Sequence, residues 1–173
     1  EDTLVIGPVG LTFFASLDQD DTNWIVILKD VGPDVSVHTG RAGEFEALPT
    51  VPERELTRGW LKASHRALDA QRSKPWKPWH KLTREAHQPV VPGEINEYQV
   101  EVLATANLFQ KGHRICLEIT SMDMPTGTGF GNATEYVPYH LCSSKTVVHK
   151  IYHNATYPSH LVLPIIPNEG GAQ

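Results

Sequence analysis

Alternation of apolar and polar residues is the main feature of the chain, and it is clearest between Pro92 and Ser121. From Tyr98 to Leu103, and again from residue 114 to residue 120, every second residue is apolar, as expected of half-buried strands. The connection 104–112 is too long for a tight hairpin and ends in Lys111-Gly112, where glycine can adopt the positive φ of a turn. Two long strands joined by such a corner predict two sheets.

The same pattern predicts further strands along the chain. Residues Val9 to Leu17 alternate cleanly, and Trp24 to Val31 form a short, nearly continuous apolar run that predicts a strand buried on both faces. Weaker signals predict strands at 35–38, 145–153 and 160–166. Pro164 in the last of these cannot donate to a ladder, which indicates either an edge strand or the strand's last paired residue. Segment 39–55 has no sustained period and is predicted to be a loop.

Segment 56–68 is ambiguous. Leu61, Ala63 and His65 alternate with polar or aromatic neighbours as in a strand, whereas the composition would also suit a helix. We predict a strand from Trp60 to His65, with a helical turn after it.

These elements together predict an all-β fold. Thirteen glycines and thirteen prolines spread along 173 residues suit many short strands separated by turns. About eight strands with few helices indicate a β-sandwich, and a jelly roll fits that number best. We expect one domain over residues 1–167 and a disordered tail at 168–173.

Composition excludes several classes of partner. The formal net charge is −5, with acids and bases interspersed, which argues against a nucleic-acid-binding surface. No apolar run has the length of a membrane span, and residues 1–20 lack the features of a signal peptide. We favour a cytoplasmic location, with secretion left open. Cys116 and Cys142 are too few to indicate a disulfide framework, and their pairing is also left open.

The sequence lacks the patterns of known catalytic centres. No G-x-S-x-G motif is present, so the strained turn that exposes a nucleophilic serine in hydrolases is missing. Ser64 precedes His65, but adjacent residues on a strand point to opposite faces. We therefore expect no catalytic residue in this chain.

The sequence also gives no firm indication of a metal or a cofactor. His149 and His153 are spaced for a helix yet lie in a predicted strand, and H-E-x-x-H is absent. Asp18 and Asp20 resemble the start of an EF-hand loop, but Asn23 stands where that loop needs glycine. A looser cation site at these acids stays an open alternative.

Two long excursions are the best candidates for binding. The first carries Trp76, Trp79 and His80 on a proline-stiffened stretch, and the second carries Met122 and Phe130 in a glycine-rich segment. The two indoles present flat apolar surface that would pack on the domain, meet a protein partner or stack on a sugar ring.

Four segments carry a resemblance to a known family: Trp24 to Asp34, Leu56 to Arg66, Pro92 to Ser121 and Tyr152 to Pro167. In this order they are similar to the C-terminal domain of the X-Pro dipeptidyl-peptidase family, the cocaine esterase-like serine hydrolases that include α-amino-acid ester hydrolases. The resemblance implies a jelly roll of the galactose-binding type. It also implies that the Ser-His-Asp machinery lies in a separate α/β-hydrolase domain of the same polypeptide.

Our leading hypothesis is a non-catalytic C-terminal domain that packs on that hydrolase domain and helps to wall its substrate cleft. The alternative is a carbohydrate-binding module that stacks sugars on Trp76 and Trp79. A third hypothesis, an enzyme with an unrecognised site, is the weakest because acid and base partners do not cluster in the sequence. A homo-oligomer is left open.

Overall fold

The computed structural model describes residues 1–33, 35–36, 49–50, 53–122 and 145–167. Its strands are β1 (Thr3–Leu17), β2 (Asn23–Val31), β3 (Val35–Ser36), β4 (Pro49–Thr50), β5 (Glu53–Lys62), β6 (Asn96–Phe109), β7 (Arg114–Thr120), β8 (His149–Tyr152), β9 (His160–Val162) and β10 (Ile165–Ile166). The described helices are two 3-10 turns, Ala63–His65 and Arg84–Ala86. The prediction of an all-β fold is therefore confirmed.

The strands form two antiparallel groups that meet at one point. In the first group β1 pairs with β6 along one edge and with β8, β9 and β10 along the other. In the second group β2 lies between β5 and β7. Between β5 and β6 the register holds a single pair, Gly59 with Val102. These eight strands form one continuous sheet that curls so that the two groups become facing layers, consistent with an all-β sandwich. The prediction that β6 and β7 lie in two separate sheets was wrong, because β5 and β2 connect them within the same sheet.

The core lies between the two groups and is built from alternate residues of their strands. Phe13, Trp24 and Tyr98 form its aromatic centre, with the ring centroids of Phe13 and Trp24 5.1 Å apart. Ile25 and Ile27 on the opposite face of β2 are also buried, which confirms that this strand is covered on both faces. The core residues are Val9, Leu11, Phe13, Ala15, Leu17, Trp24, Val26, Leu28, Leu61, Ala63, Val90, Tyr98, Val100 and Val102.

The predicted C-terminal end of β6 was wrong, because a bulge interrupts the alternation before the strand ends. The pairing passes from Gly7–Thr105 to Val9–Val102, so Leu103 and Ala104 together face Pro8. An extra residue reverses which positions point inward. The buried residues of β6 therefore change from even numbers to odd ones, Asn107 and Phe109, and the alternation that predicted the strand is lost at residue 103.

A second bulge explains why β5 begins earlier than predicted. Leu28 pairs with Thr57 and Lys29 pairs with Glu55, so Leu56 is the extra residue. The prediction of a loop as far as residue 55 was accordingly wrong for the start of β5, and also for the short strand β4.

The predicted strand from Trp60 to His65 ends at Lys62 instead. Ala63 donates its N–H to the Thr22 carbonyl, and the Ser64 N–H and hydroxyl both donate to the Asp21 carboxylate. These contacts turn the chain into the first 3-10 turn, so the predicted helical turn lies within the segment rather than after it.

The C-terminal strands are shorter than their apolar runs. Strand β8 spans four residues of the predicted segment 145–153, and the run 160–166 is divided into β9 and β10 around Pro164, consistent with the edge position that was one of its two predicted roles. The jelly-roll connectivity stays a prediction, and the tail 168–173 lies outside the described residues. In the described ranges no helix has the length and apolar character that crossing a bilayer requires.

Candidate functional site

The tryptophan loop, residues 69–80, is a closed structure rather than a loose excursion. Asp69 accepts hydrogen bonds from the N–H groups of residues 71 and 72 through its carboxylate, and its own N–H donates to the Trp79 carbonyl at 2.8 Å. Lys74 and Lys77 exchange backbone hydrogen bonds of 3.0 and 2.9 Å. The loop is therefore held in one shape before any partner arrives.

This loop lies on the outer face of β1 and β6, the face opposite the core. A Cβ atom on Gly10 would lie 2.3 Å from the Pro75 carbonyl oxygen and 2.8 Å from the Cα of Trp76. On the neighbouring strand the Glu101 carboxylate lies 3.8 Å from the Lys77 ammonium. The backbone of the loop packs onto the domain, while Trp76 and Trp79 stay 45% and 37% exposed.

The two indoles are not equivalent. The guanidinium carbon of Arg72 lies 3.5 Å from the ring centroid of Trp79, a cation–π contact that covers one face of this indole. A sugar ring would have to use the other face or displace Arg72. Trp76 is therefore the better candidate for contact with a partner.

His80 serves the packing of the loop. It forms an isolated bridge with Leu68, and its Nε2 is buried without a hydrogen-bond partner in the described chain. Burial lowers the pKa of His80, and a backbone hydrogen bond to Gln99 opposes that effect. The Nε2 edge of this half-buried imidazole is thus turned into the packing of the loop rather than presented to a partner.

The second predicted excursion is described only at its start. Met122 is half-buried just after β7, and its N–H lies 3.4 Å from the Thr120 hydroxyl. Strand β7 is three strands away from β6 in the sheet order. Met122 and the tryptophan loop therefore do not lie on neighbouring strands. Phe130 lies outside the described residues.

Ser64 is a structural residue. It is 1% exposed, and its hydroxyl donates to Asp21 at 2.7 Å while its carbonyl accepts the N–H of Gln88 at 2.9 Å. His65 is exposed and faces His87. The hydroxyl of this buried serine is thus engaged as a hydrogen-bond donor to a carboxylate, and its imidazole neighbour lies outside that contact.

Polar clusters hold the ends of the sandwich. Asp30, which is 6% exposed, accepts hydrogen bonds from Nδ1 of His113 at 2.8 Å and Nδ2 of Asn107 at 3.1 Å. The Asn107 side-chain oxygen accepts a bond from Arg54. At the acidic connection the carboxylate of Asp18 accepts the Val148 N–H.

Within the described ranges no three His, Cys, Asp or Glu side chains converge as metal ligands.

His149 makes the stability of the fold sensitive to acid. Its Nε2 lies 2.9 Å from the Thr22 hydroxyl, its ring packs on Trp24, and burial lowers its pKa against the opposing charge of Asp18. Below the ordinary histidine pKa of about 6.5 the unfolded chain binds a proton that the folded chain resists. Stability is therefore expected to fall as the pH drops from 7.5 to 5.5.

Urea unfolding of wild type and His149→Gln at these two pH values tests this expectation. The variant is expected to lose less stability on acidification, whereas His153→Gln, which changes an exposed imidazole, should behave as wild type. Any loss of stability in acid that comes from the lowered pKa of His80 would remain in both variants. An equal loss in wild type and His149→Gln would contradict the assignment to this residue.

An exposed apolar row was missed by the sequence analysis. Leu4 is paired with Leu108 on one side and with Ile166 on the other, so the three side chains share one face, and Ile6 lies two residues further along that face. Ile6, Leu108 and Ile166 are 44–48% exposed. We name Leu4, Ile6, Leu108 and Ile166 the outer apolar strip. Both faces of β1 are apolar near the start of the strand, and this pattern is the sequence signal that could have identified the outer apolar strip.

Comparison with known proteins gives one family for nearly the whole chain. Residues 1–162 match the family described as X-Pro dipeptidyl-peptidase C-terminal non-catalytic domain. Among curated proteins, 79 residues are 39% identical to cocaine esterase of Rhodococcus sp. strain MB1 Bresler, covering 43% of this chain and 13% of the esterase.

Solved structures agree with this match. A CocE/NonD family hydrolase from Staphylococcus aureus has a TM-score of 0.71 and 25% identity, covering 96% of this chain and 29% of the hydrolase. An aminopeptidase from a marine sediment archaeon of the Thaumarchaeota has a TM-score of 0.59 at 21% identity, covering 96% of this chain and 24% of the aminopeptidase, and it shows the shared fold. The chain thus spans less than a third of each relative.

Proposed function

The chain belongs to the X-Pro dipeptidyl-peptidase C-terminal non-catalytic domain family, and from that premise we propose that it packs on an α/β-hydrolase domain of the same polypeptide and helps to wall its substrate cleft. Residues 1–167 act as one accessory domain in this proposal. The parent protein is a serine hydrolase that acts on ester, amide or peptide bonds, in keeping with the names of its relatives.

The outer apolar strip is the observation that carries this proposal. Leu4, Leu108 and Ile166 lie side by side on three neighbouring strands, and Ile6 extends the row along β1. Large apolar side chains collected on one face of a sheet favour burial against a partner. In a chain that spans less than a third of its relatives, the partner with the strongest support is the remainder of the same polypeptide.

The tryptophan loop extends this surface. Gly10, on which the loop rests, is on the same outer face of β1 as Ile6, and the exposed indole of Trp76 is carried by a rigid backbone. Aromatic residues held in a fixed position are effective anchors at protein interfaces because little side-chain entropy is lost on binding. Trp76 is therefore assigned to the edge of the docking surface.

Binding to the separately produced hydrolase domain of the same polypeptide tests the assignment. Leu108→Asp is expected to weaken binding at least about tenfold, because a carboxylate would be buried in an apolar contact. Leu82→Asp is the matched control, since Leu82 is 71% exposed and lies outside the strip. Calorimetry measures both affinities, and light scattering of the chain alone reveals whether the strip instead joins two copies.

The isolated chain is also expected to hydrolyse neither simple esters nor proline-containing dipeptide substrates. Turnover by the pure chain would contradict the accessory role. Equal affinities of the two aspartate variants, both at the wild-type level, would contradict the docking surface while leaving the family assignment intact.

A further inference from the structure

Two histidines from different segments face each other on the surface. The rings of His65, at the end of the first 3-10 turn, and His87, just after the second, have centroids 6.0 Å apart and planes inclined at 79°. Both residues are exposed, and neither imidazole hydrogen-bonds to a described residue. Four ring nitrogens are thus available within one small region.

The backbone beneath the two rings is held rigidly. The Gln88 N–H donates to the Ser64 carbonyl at 2.9 Å, which joins the residues adjacent to the two histidines. The Arg66 guanidinium donates to the carbonyls of Gln88 and Pro89 at 2.7 and 3.2 Å, and Ser64 is fixed by its bonds to Asp21. The separation of the two backbone segments is therefore set by the fold, and the exposed rings can turn on it to meet a shared ion.

We propose that His65 and His87 form a binding site for a divalent transition-metal ion. An ion held at about 2 Å by one nitrogen of each ring would place the ring centroids roughly 5 Å apart in tetrahedral geometry, so the rings, now 6.0 Å apart, would move together by about 1 Å on binding. Imidazole nitrogen is a suitable ligand for Cu²⁺, Ni²⁺ and Zn²⁺. Among these ions we expect Cu²⁺ to bind the site most tightly.

The remaining coordination positions are open to solvent. Among the described residues no third His, Cys, Asp or Glu completes a cluster. His80 lies close enough to His65 for the charge of His65 to lower the pKa of His80, but the Nε2 of His80 is buried. A bound ion would tie the segment that follows the tryptophan loop to the end of β5, and water or a ligand from a partner would fill its other positions.

Titration of the full 173-residue chain with Cu²⁺ and with Zn²⁺ tests the site. Calorimetry measures affinity, and the electron paramagnetic resonance spectrum of Cu²⁺ reports the number of nitrogen ligands. His65→Gln and His87→Gln are each expected to weaken the tightest site at least about tenfold, because each removes one of two protein ligands. The spectrum should change from two nitrogen ligands to one.

His153→Gln is the matched control, since it removes an exposed histidine elsewhere in the chain. Unchanged affinity in this control, together with the loss in the other two variants, supports the site. Wild-type affinity in either His65→Gln or His87→Gln overturns it, as does an equal loss in the control. Absence of measurable binding to the wild-type chain also overturns it. Far-UV circular dichroism confirms that each variant is folded.

Discussion

Replacing Trp24 by alanine is expected to lower the free energy of unfolding by about 3–5 kcal/mol, the largest effect of any single truncation in this core. Trp24 is 1% exposed, and its ring centroid lies 5.1 Å from that of Phe13 and 5.2 Å from that of Tyr98. Phe13 and Tyr98 come from the first layer and Trp24 from the second. Its removal would therefore leave a cavity at the centre of the contact between layers.

Urea unfolding followed by far-UV circular dichroism measures this loss without relying on the fluorescence of the deleted indole. Trp60→Ala is the matched control, because Trp60 is 41% exposed on the adjacent strand β5 and pairs with Ile25. We expect the control to lose much less than Trp24→Ala, as usual for partly exposed side chains. Similar losses in the two variants would show that the aromatic centre is not the main contact between the layers.

Replacing Gly59 by alanine is expected to cost about 3 kcal/mol, because the new methyl group has no space. A Cβ atom at this position would lie 2.3 Å from the Glu101 carbonyl oxygen and 3.0 Å from a methyl group of Val100. The nearest atom is backbone and cannot rotate away. The corner where β5 meets β6 would have to open.

Gly93→Ala separates this steric effect from a backbone effect. A Cβ atom at Gly93 would meet nothing within 4 Å, but its φ of +84° is unfavourable for alanine, so we expect a cost of about 1 kcal/mol. Thermal unfolding of the two variants provides the comparison. If Gly59→Ala were as stable as Gly93→Ala, the close approach of β5 and β6 would not be a tight constraint on the fold.

The strands with uninterrupted alternation could be predicted from the sequence. The inward face of β1 from Val9 to Leu17 and the burial of β2 on both faces agree with the structure, because each residue position there has a fixed direction. The bulges at residues 56 and 103–104 could not be predicted in the same way. Each one reverses the inward positions, so a continuous strand looks like a strand followed by a loop.

The candidate surfaces were only partly predictable. Proline spacing indicated a stiff excursion at Trp76 and Trp79 but left open whether the indoles pack on the domain, since their partial exposure and the cation–π contact of Arg72 depend on how the loop folds. The outer apolar strip was missed because an apolar residue on a strand is normally assigned to a core, and only the pairing of β1 with β6 and β10 shows that this face is uncovered. The meeting of His65 and His87 likewise requires the fold.

Among the described residues, the second edge of strand β1 is paired by segments late in the sequence. Along the edge that β6 leaves open, its hydrogen-bonding partners are β8, β9 and β10, between residues 149 and 166. During synthesis on a ribosome this edge would stay unpaired until nearly all of these residues had emerged, and an unpaired apolar edge favours association with other chains. We therefore expect a chain truncated before His149 to aggregate on expression, and a chaperone that holds nascent polypeptides to improve its recovery.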